Sequence, residues 1–112
     1  MKNYEYEGNC DLCGRFATTL SEHHLIPRTT HSNSRVRKMF SREEMATRKS
    51  DFCHPCHHAC HAFFSNKTLA LERNTVSLLR EHPLVRGHIK WVRGQKPEFK
   101  SRGGKKPWGE RR

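Results

Sequence analysis

Two cysteine pairs, Cys10 with Cys13 and Cys53 with Cys56, each enclose two residues, the spacing at which a tight turn presents two thiolates to one ion. Brought together, two such turns supply the four-sulfur tetrahedral shell that structural zinc prefers. Gly14 follows the first pair and can take the positive φ that such a turn wants. Disulfides or free thiols are the alternative, but an odd total of five cysteines argues against a closed disulfide set. Cys60, the fifth, reads as a small buried core thiol more readily than as a spare ligand. The span between the two pairs is longer than a short finger loop, which suggests that something functional is built there.

Histidines form the second group. Glu22-His23-His24-Leu25-Ile26-Pro27 lies within that span, and Cys56-His57-His58-Ala59-Cys60-His61 closes it. On a helix, the four-residue spacing of His57 and His61 lets both imidazoles converge on one ion. Neighbours on a strand point to opposite faces, so His23 and His24 cannot do the same job in the same way. One can ligate a metal while the other reaches for substrate if the strand end is twisted. The bland alternative is that these histidines add surface charge or fill out the zinc shell.

The elements that must position these groups follow from local composition. Residues 1–9 read as a polar lead-in. Phe16 to Ile26 is Thr-rich and apolar without helical periodicity, hence a strand that Pro27 closes. Arg28 to Ser50 is charged and reads mostly as loop, with a helix start at Ser41-Arg42-Glu43-Glu44. Asp51-Phe52-Cys53 predicts a brief strand and Cys56 to Phe64 a helix. Beyond Ser65 the pattern is helical, with an N-cap at Asn74 and a restart at Pro83 that carries Leu84, Val85, Ile89, Trp91 and Val92 over the metal-bound core. Gly94 to Arg112 is rich in Gly, Pro, Lys and Arg and predicts a disordered basic tail, which leaves one domain at 1–93.

Composition supports a stapled core and a polyanionic partner. A chain of 112 residues with only 33% hydrophobic residues builds a marginal core, so metal is the expected staple. The formal net charge of +11 points to nucleic acid first and an anionic membrane surface second. No apolar run approaches the roughly 18 residues of a membrane span, and the N-terminus lacks the apolar core of a secretory signal. The expectation is a soluble, cytoplasmic protein.

The order Cys10-x2-Cys13, His23-His24-Leu25-Ile26-Pro27, Cys53-x2-Cys56-His57-x3-His61 resembles the HNH endonucleases, in the version whose ββα-metal fold is braced by a zinc ribbon. The resemblance covers roughly residues 8–66 and is specific, because three motifs occur in the family's order. It implies a small α+β protein: a ββα-metal nuclease core, a four-cysteine zinc ribbon on Cys10, Cys13, Cys53 and Cys56, and C-terminal helices. It also implies that His24 is the general base and that His23, His57 and His61 hold a divalent metal. The family's middle Asn has no counterpart in Met45 to Phe52. Thr47, Ser50, Asn33 and Asn66 are the residues that could take over its bracing hydrogen bond.

These residue types suit phosphodiester hydrolysis, which needs a water deprotonated near neutral pH and a cation to stabilise charge on the phosphate and the leaving 3′ oxygen. Histidine is largely neutral at pH 7 and serves the first need. Imidazole ligands leave positions open and accept Mn, Ni, Co or Zn better than Mg, so the catalytic metal is any of Mg, Mn, Ni or Zn. Arg28 and the tail lysines Lys105 and Lys106 would grip DNA phosphates. The expected activity is nicking of DNA by a monomer, or double-strand cleavage by a homodimer. A noncatalytic zinc-ribbon nucleic-acid binder is the principal rival, and a metal-stapled adaptor protein the other.

Overall fold

Phe16–His24 extends as β2, the central strand of a three-stranded antiparallel sheet, in the computed structural model, which describes residues 5–100. Tyr6–Asn9 forms β1 on one edge and Lys49–Cys53 forms β3 on the other. The β2–β3 register sets Leu20 against Cys53, His23 against Ser50 and His24 against Lys49. The polar lead-in expected over residues 1–9 therefore holds an edge strand. Its residues are mostly exposed, so no apolar alternation marks it in the sequence.

The span from Arg28 to Ser50, expected to be mostly loop, contains a short 3-10 turn at Arg28–Thr30, α1 at Ser34–Met39 and α2 at Arg42–Thr47. Caps define these helices. The Asn33 side chain accepts from the Arg35 and Val36 amides, and Ser41 with Glu44 forms a reciprocal capping box. Each helix buries a single side chain, Val36 or Met45. With one anchor apiece there is little periodicity to detect.

α3, His54–Phe63, starts directly after β3, with Cys53 as its N-cap and Pro55 in its first turn. It is followed by α4 (Asn66–Leu71), α5 (Val76–Glu81) and α6 (Pro83–Val92). The expected cap at Asn74 falls one residue on. Thr75 Oγ1 accepts from the Leu78 amide, while Asn74 Nδ2 donates to the Ala70 carbonyl at 2.8 Å.

Two cores hold these elements. The larger surrounds the four cysteines and includes Leu12, Leu20, Phe52, Leu69, Leu79, Val85, Ile89 and Val92. The smaller joins Ile26, Val36, Met45 and Ala70, with Phe40 and Leu71 packed against it. The chain stays packed beyond residue 93, where a tail was expected to begin. The Thr18 amide donates to the Pro97 carbonyl at 3.0 Å, Arg15 Nη1 donates to the Lys96 carbonyl at 2.8 Å, and Phe99 lies edge-on to Trp91. The rest of the predicted tail, with Lys105 and Lys106, lies outside the described residues. Among the described residues, no helix is long and apolar enough to cross a membrane.

Candidate metal centres

Cys10 and Cys13 come from the turn between β1 and β2, Cys53 from the end of β3, and Cys56 from the first turn of α3. Gly14 takes φ 82° directly after the first pair, as the turn reading anticipates. All four sulfurs lie within 4.8 Å of one another, all four residues are buried, and Cys13 Sγ is 4.0 Å from Cys53 Sγ. A tetrahedron of Zn–S bonds near 2.3 Å has sulfur–sulfur edges of about 3.8 Å, so the set fits zinc with little adjustment. The amides of Leu12, Cys13 and Cys53 point at Cys10 Sγ at 3.4, 3.5 and 3.3 Å. Hydrogen bonds from Cys13, Cys53 and Cys56 pull the Cys10 thiol well below its ordinary range, while the same contacts push Cys53 and Cys56 above theirs. Cys13 is lowered as well, to about 7, so without a cation the acidic thiols are those of the first pair; four thiolates together require a metal. Cys60 is outside this set. It is fully buried, and desolvation raises its pKa to about 12, as befits a core thiol.

A second donor set lies beside the first. Nitrogens of His23, His57 and His61 fall within 4.8 Å of one another. His23, near the end of β2, is fully buried and stacks on Phe52 with ring centroids 4.5 Å apart. Neither of its ring nitrogens has a hydrogen-bond partner among the described residues. His57 and His61 project from one face of α3, as their spacing predicts, with ring centroids 5.0 and 5.4 Å from that of His23. Ser21 Oγ lies 3.3 Å from His57 Nδ1, which leaves Nε2 free to ligate. Burial, followed by the neighbouring imidazoles, lowers the His23 pKa to about 3, and burial and His61 lower His57 to about 4. His61 is also lowered by burial, against an opposing hydrogen bond with Asn66.

His24 is not a member of this set. The strand alternation turns it to the other face, beside Lys49 in the register. It remains within electrostatic reach of both His23 and His57. Burial, then Lys49 and Arg28, lowers its pKa, against Glu22. Arg28 is exposed at the start of the 3-10 turn.

The four residues named in place of the middle Asn separate clearly. Thr47 Oγ1 donates within its own helix to Glu43, and Asn33 caps α1. Ser50 pairs with His23 in the sheet, and Asn66, whose Nδ2 donates to Thr29 Oγ1 at 3.1 Å, reaches His61. Ser21 was not anticipated. Its place two residues before His23, on the same face of the strand, is the signal that finds it.

Fold and donor sets together define a small α+β protein with a buried four-cysteine cluster able to hold a structural metal such as zinc. The chain belongs to the family of the uncharacterized protein YisB of Bacillus subtilis (strain 168), to which it is 35% identical over 91 residues, covering 81% of this chain and 79% of that protein. No family model and no solved structure matches it.

Proposed function

We propose that the protein is a metal-dependent DNA endonuclease of the HNH type, in which β2, β3 and α3 form a ββα-metal core braced by a four-cysteine zinc ribbon. The observation that carries this reading is His23, a fully buried imidazole with both nitrogens unpartnered among the described residues and two further imidazoles converging on it. Leaving such a group unsatisfied costs roughly 1–3 kcal/mol, a cost that a bound cation removes. Three imidazole donors fit a divalent ion, and the exposed side at His61 leaves a position for water or a phosphate oxygen.

Bound there, the ion would stabilise negative charge on the phosphate and on the leaving 3′ oxygen. The chain's own groups do the rest. His24, kept neutral at pH 7 by burial and two nearby cations, takes the proton of the attacking water. The water oxygen bonds to phosphorus, the bond to the 3′ oxygen breaks, and solvent water protonates the leaving oxygen while His24 later releases its proton to solvent; the products are a 5′ phosphate and a 3′ hydroxyl. Ser21 and Asn66 orient the His57 and His61 rings. Arg28 and the excess of Lys and Arg hold the phosphate backbone.

Incubating purified protein with supercoiled plasmid in Mg, Mn, Ni or Zn tests the proposal. One site per chain cuts one strand, so relaxed circles are expected before linear DNA, and His24→Ala should slow their appearance by about 10²–10⁴-fold. Retention of DNA with no cleavage in any metal would give the noncatalytic zinc-ribbon binder instead.

A further inference from the structure

A short distance along the chain from His24, the 3-10 turn, α1 and α2 line an open cavity of about 620 Å³. Three guanidinium groups, Arg28, Arg37 and Arg42, line it together with His31, and no Asp or Glu does. Among the described residues none of the three arginines makes an ion pair. Glu44, the acid nearest in sequence after Glu43, is occupied in the α2 capping box. Three like charges around one cavity with no carboxylate in its lining repel one another, and an anion relieves that repulsion.

The apolar part of the lining is as specific. Phe40 is half-buried and Met45 is buried. The Arg48 guanidinium carbon stands 5.0 Å from the centroid of the Phe40 ring, so the ring carries a cation on one side while it also lines the cavity. A ring nitrogen of His31 lies 2.8 Å from the Ile26 carbonyl, which fixes that wall. The volume is in the range of small-molecule sites and far exceeds an inorganic phosphate. Guanidinium groups around an aromatic and a thioether suit a ligand that joins anionic oxygens to a flat ring, which is the chemistry of a nucleotide. Arg28 belongs to both places, as a wall of this cavity and as one of the charges acting on His24.

We propose that this cavity takes one unstacked nucleotide of the substrate strand, its phosphates held by Arg28, Arg37 and Arg42 and its base lying on Phe40 and Met45. The inference rests on the nuclease reading for the identity of the strand and deepens it. A base inside a duplex has no free face to offer, so the cavity selects single-stranded, frayed or bulged nucleic acid next to the scissile phosphate.

The test is binding without cleavage. Full-length protein with zinc in its cysteine set and no other metal is titrated against two labelled strands of about 12 nucleotides, within the usual span of single-strand sites. One is oligothymidylate and the other is fully abasic. The thymidylate strand should bind about five-fold tighter or better, the low end of base–aromatic stacking. Phe40→Leu should erase that preference. The exposed pair Arg37→Ala with Arg42→Ala should weaken both strands and lower the log–log salt slope by about 0.7 per lost contact. Thymidine monophosphate should displace the strand at lower concentration than inorganic phosphate.

Equal affinity for the two strands would overturn the proposal. So would a preference that survives Phe40→Leu, or an arginine pair no weaker than Arg35→Ala with Lys38→Ala, which lie on α1 outside the cavity. Because the arginine variants alter exposed side chains, they decide the matter even where Phe40→Leu fails to fold. A protein that prefers the thymidylate strand but never nicks plasmid keeps the cavity and loses the nuclease; one that nicks plasmid and ignores the base does the reverse.

Discussion

The two donor sets stand side by side and differ in almost every physical respect. Cys56 and His57 are neighbours on α3, and in each set the ligand atoms lie within 4.8 Å of one another. The cysteine set is buried at all four positions, and backbone amides point at Cys10 Sγ. Its donors become anionic on binding and leave no side open. In the histidine set, burial falls from His23 through His57 to the exposed His61, and the donors are neutral. A closed anionic shell holds a metal for stability, whereas an open neutral shell lets water and substrate share the ion. Donor type and the gradient of exposure separate the roles proposed for the two sets; proximity alone does not.

The largest expected effect breaks the cysteine side. Cys53→Ala removes one of the four sulfurs that could hold zinc, and should lose both the metal and the fold. Structural zinc contributes on the order of 10 kcal/mol, comparable with the whole stability of a small domain. Zinc content together with circular dichroism reads the result, and a folded, zinc-free variant would remove the cysteine cluster from the argument.

On the nuclease reading, substitutions on the histidine side should spare the fold and remove nicking. His24→Ala is expected to lower plasmid nicking by about 10²–10⁴-fold while metal affinity and DNA binding persist. His57→Ala should lose nicking together with affinity for the second metal, with partial recovery at high Mn. Calorimetry beside the nicking assay separates them, and loss of metal binding in His24→Ala would mean that the two roles belong to the wrong residues.

Acid should destabilise the protein while its histidine set holds no metal. The folded pKa is about 3 for His23 and about 4 for His57 and His88, against 6.5 for the ordinary imidazole, with burial the first cause in each. Depressed folded values mean that stability is fully present above pH 6.5 and is lost below it, as the unfolded chain takes protons that the folded chain refuses. Each histidine contributes up to about 1.4 kcal/mol per pH unit. Denaturant melts at pH 7.0 and 5.5 should therefore differ by up to about 4 kcal/mol, and equal midpoints would contradict the buried neutral imidazoles. The smallest effect sharpens the gradient itself. Ser21→Ala, which frees His57 Nδ1, should weaken the second metal about ten-fold without moving the zinc.

What could be read in the sequence was what short spacing controls. Cys-x2-Cys and His-x3-His are set by a single turn, so Cys10, Cys13, Cys53, Cys56, His57 and His61 fall where their intervals place them. The alternation of β2 likewise sends His23 and His24 to opposite faces. Hidden from it was whatever depends on distant backbone. β1 is an edge strand without an apolar face, α1 is built on the Asn33 cap and one valine, and residues 95–97 are fixed through their own carbonyls against Arg15 and Thr18. Composition carries no trace of a carbonyl that happens to face a donor.

Cys53 ends β3 and caps the helix from which His57 and His61 project. On the reading of two metals, this joint imposes an order of loading. The thiolates would fill first, because the ion they share would tie the end of β3 to the first turn of that helix and so hold the two imidazoles of α3 against His23. A chain made under zinc scarcity would own every histidine and still lack the second site, whatever other divalent ions were abundant. Zinc supply would thus license the proposed nuclease from a position that never meets the substrate.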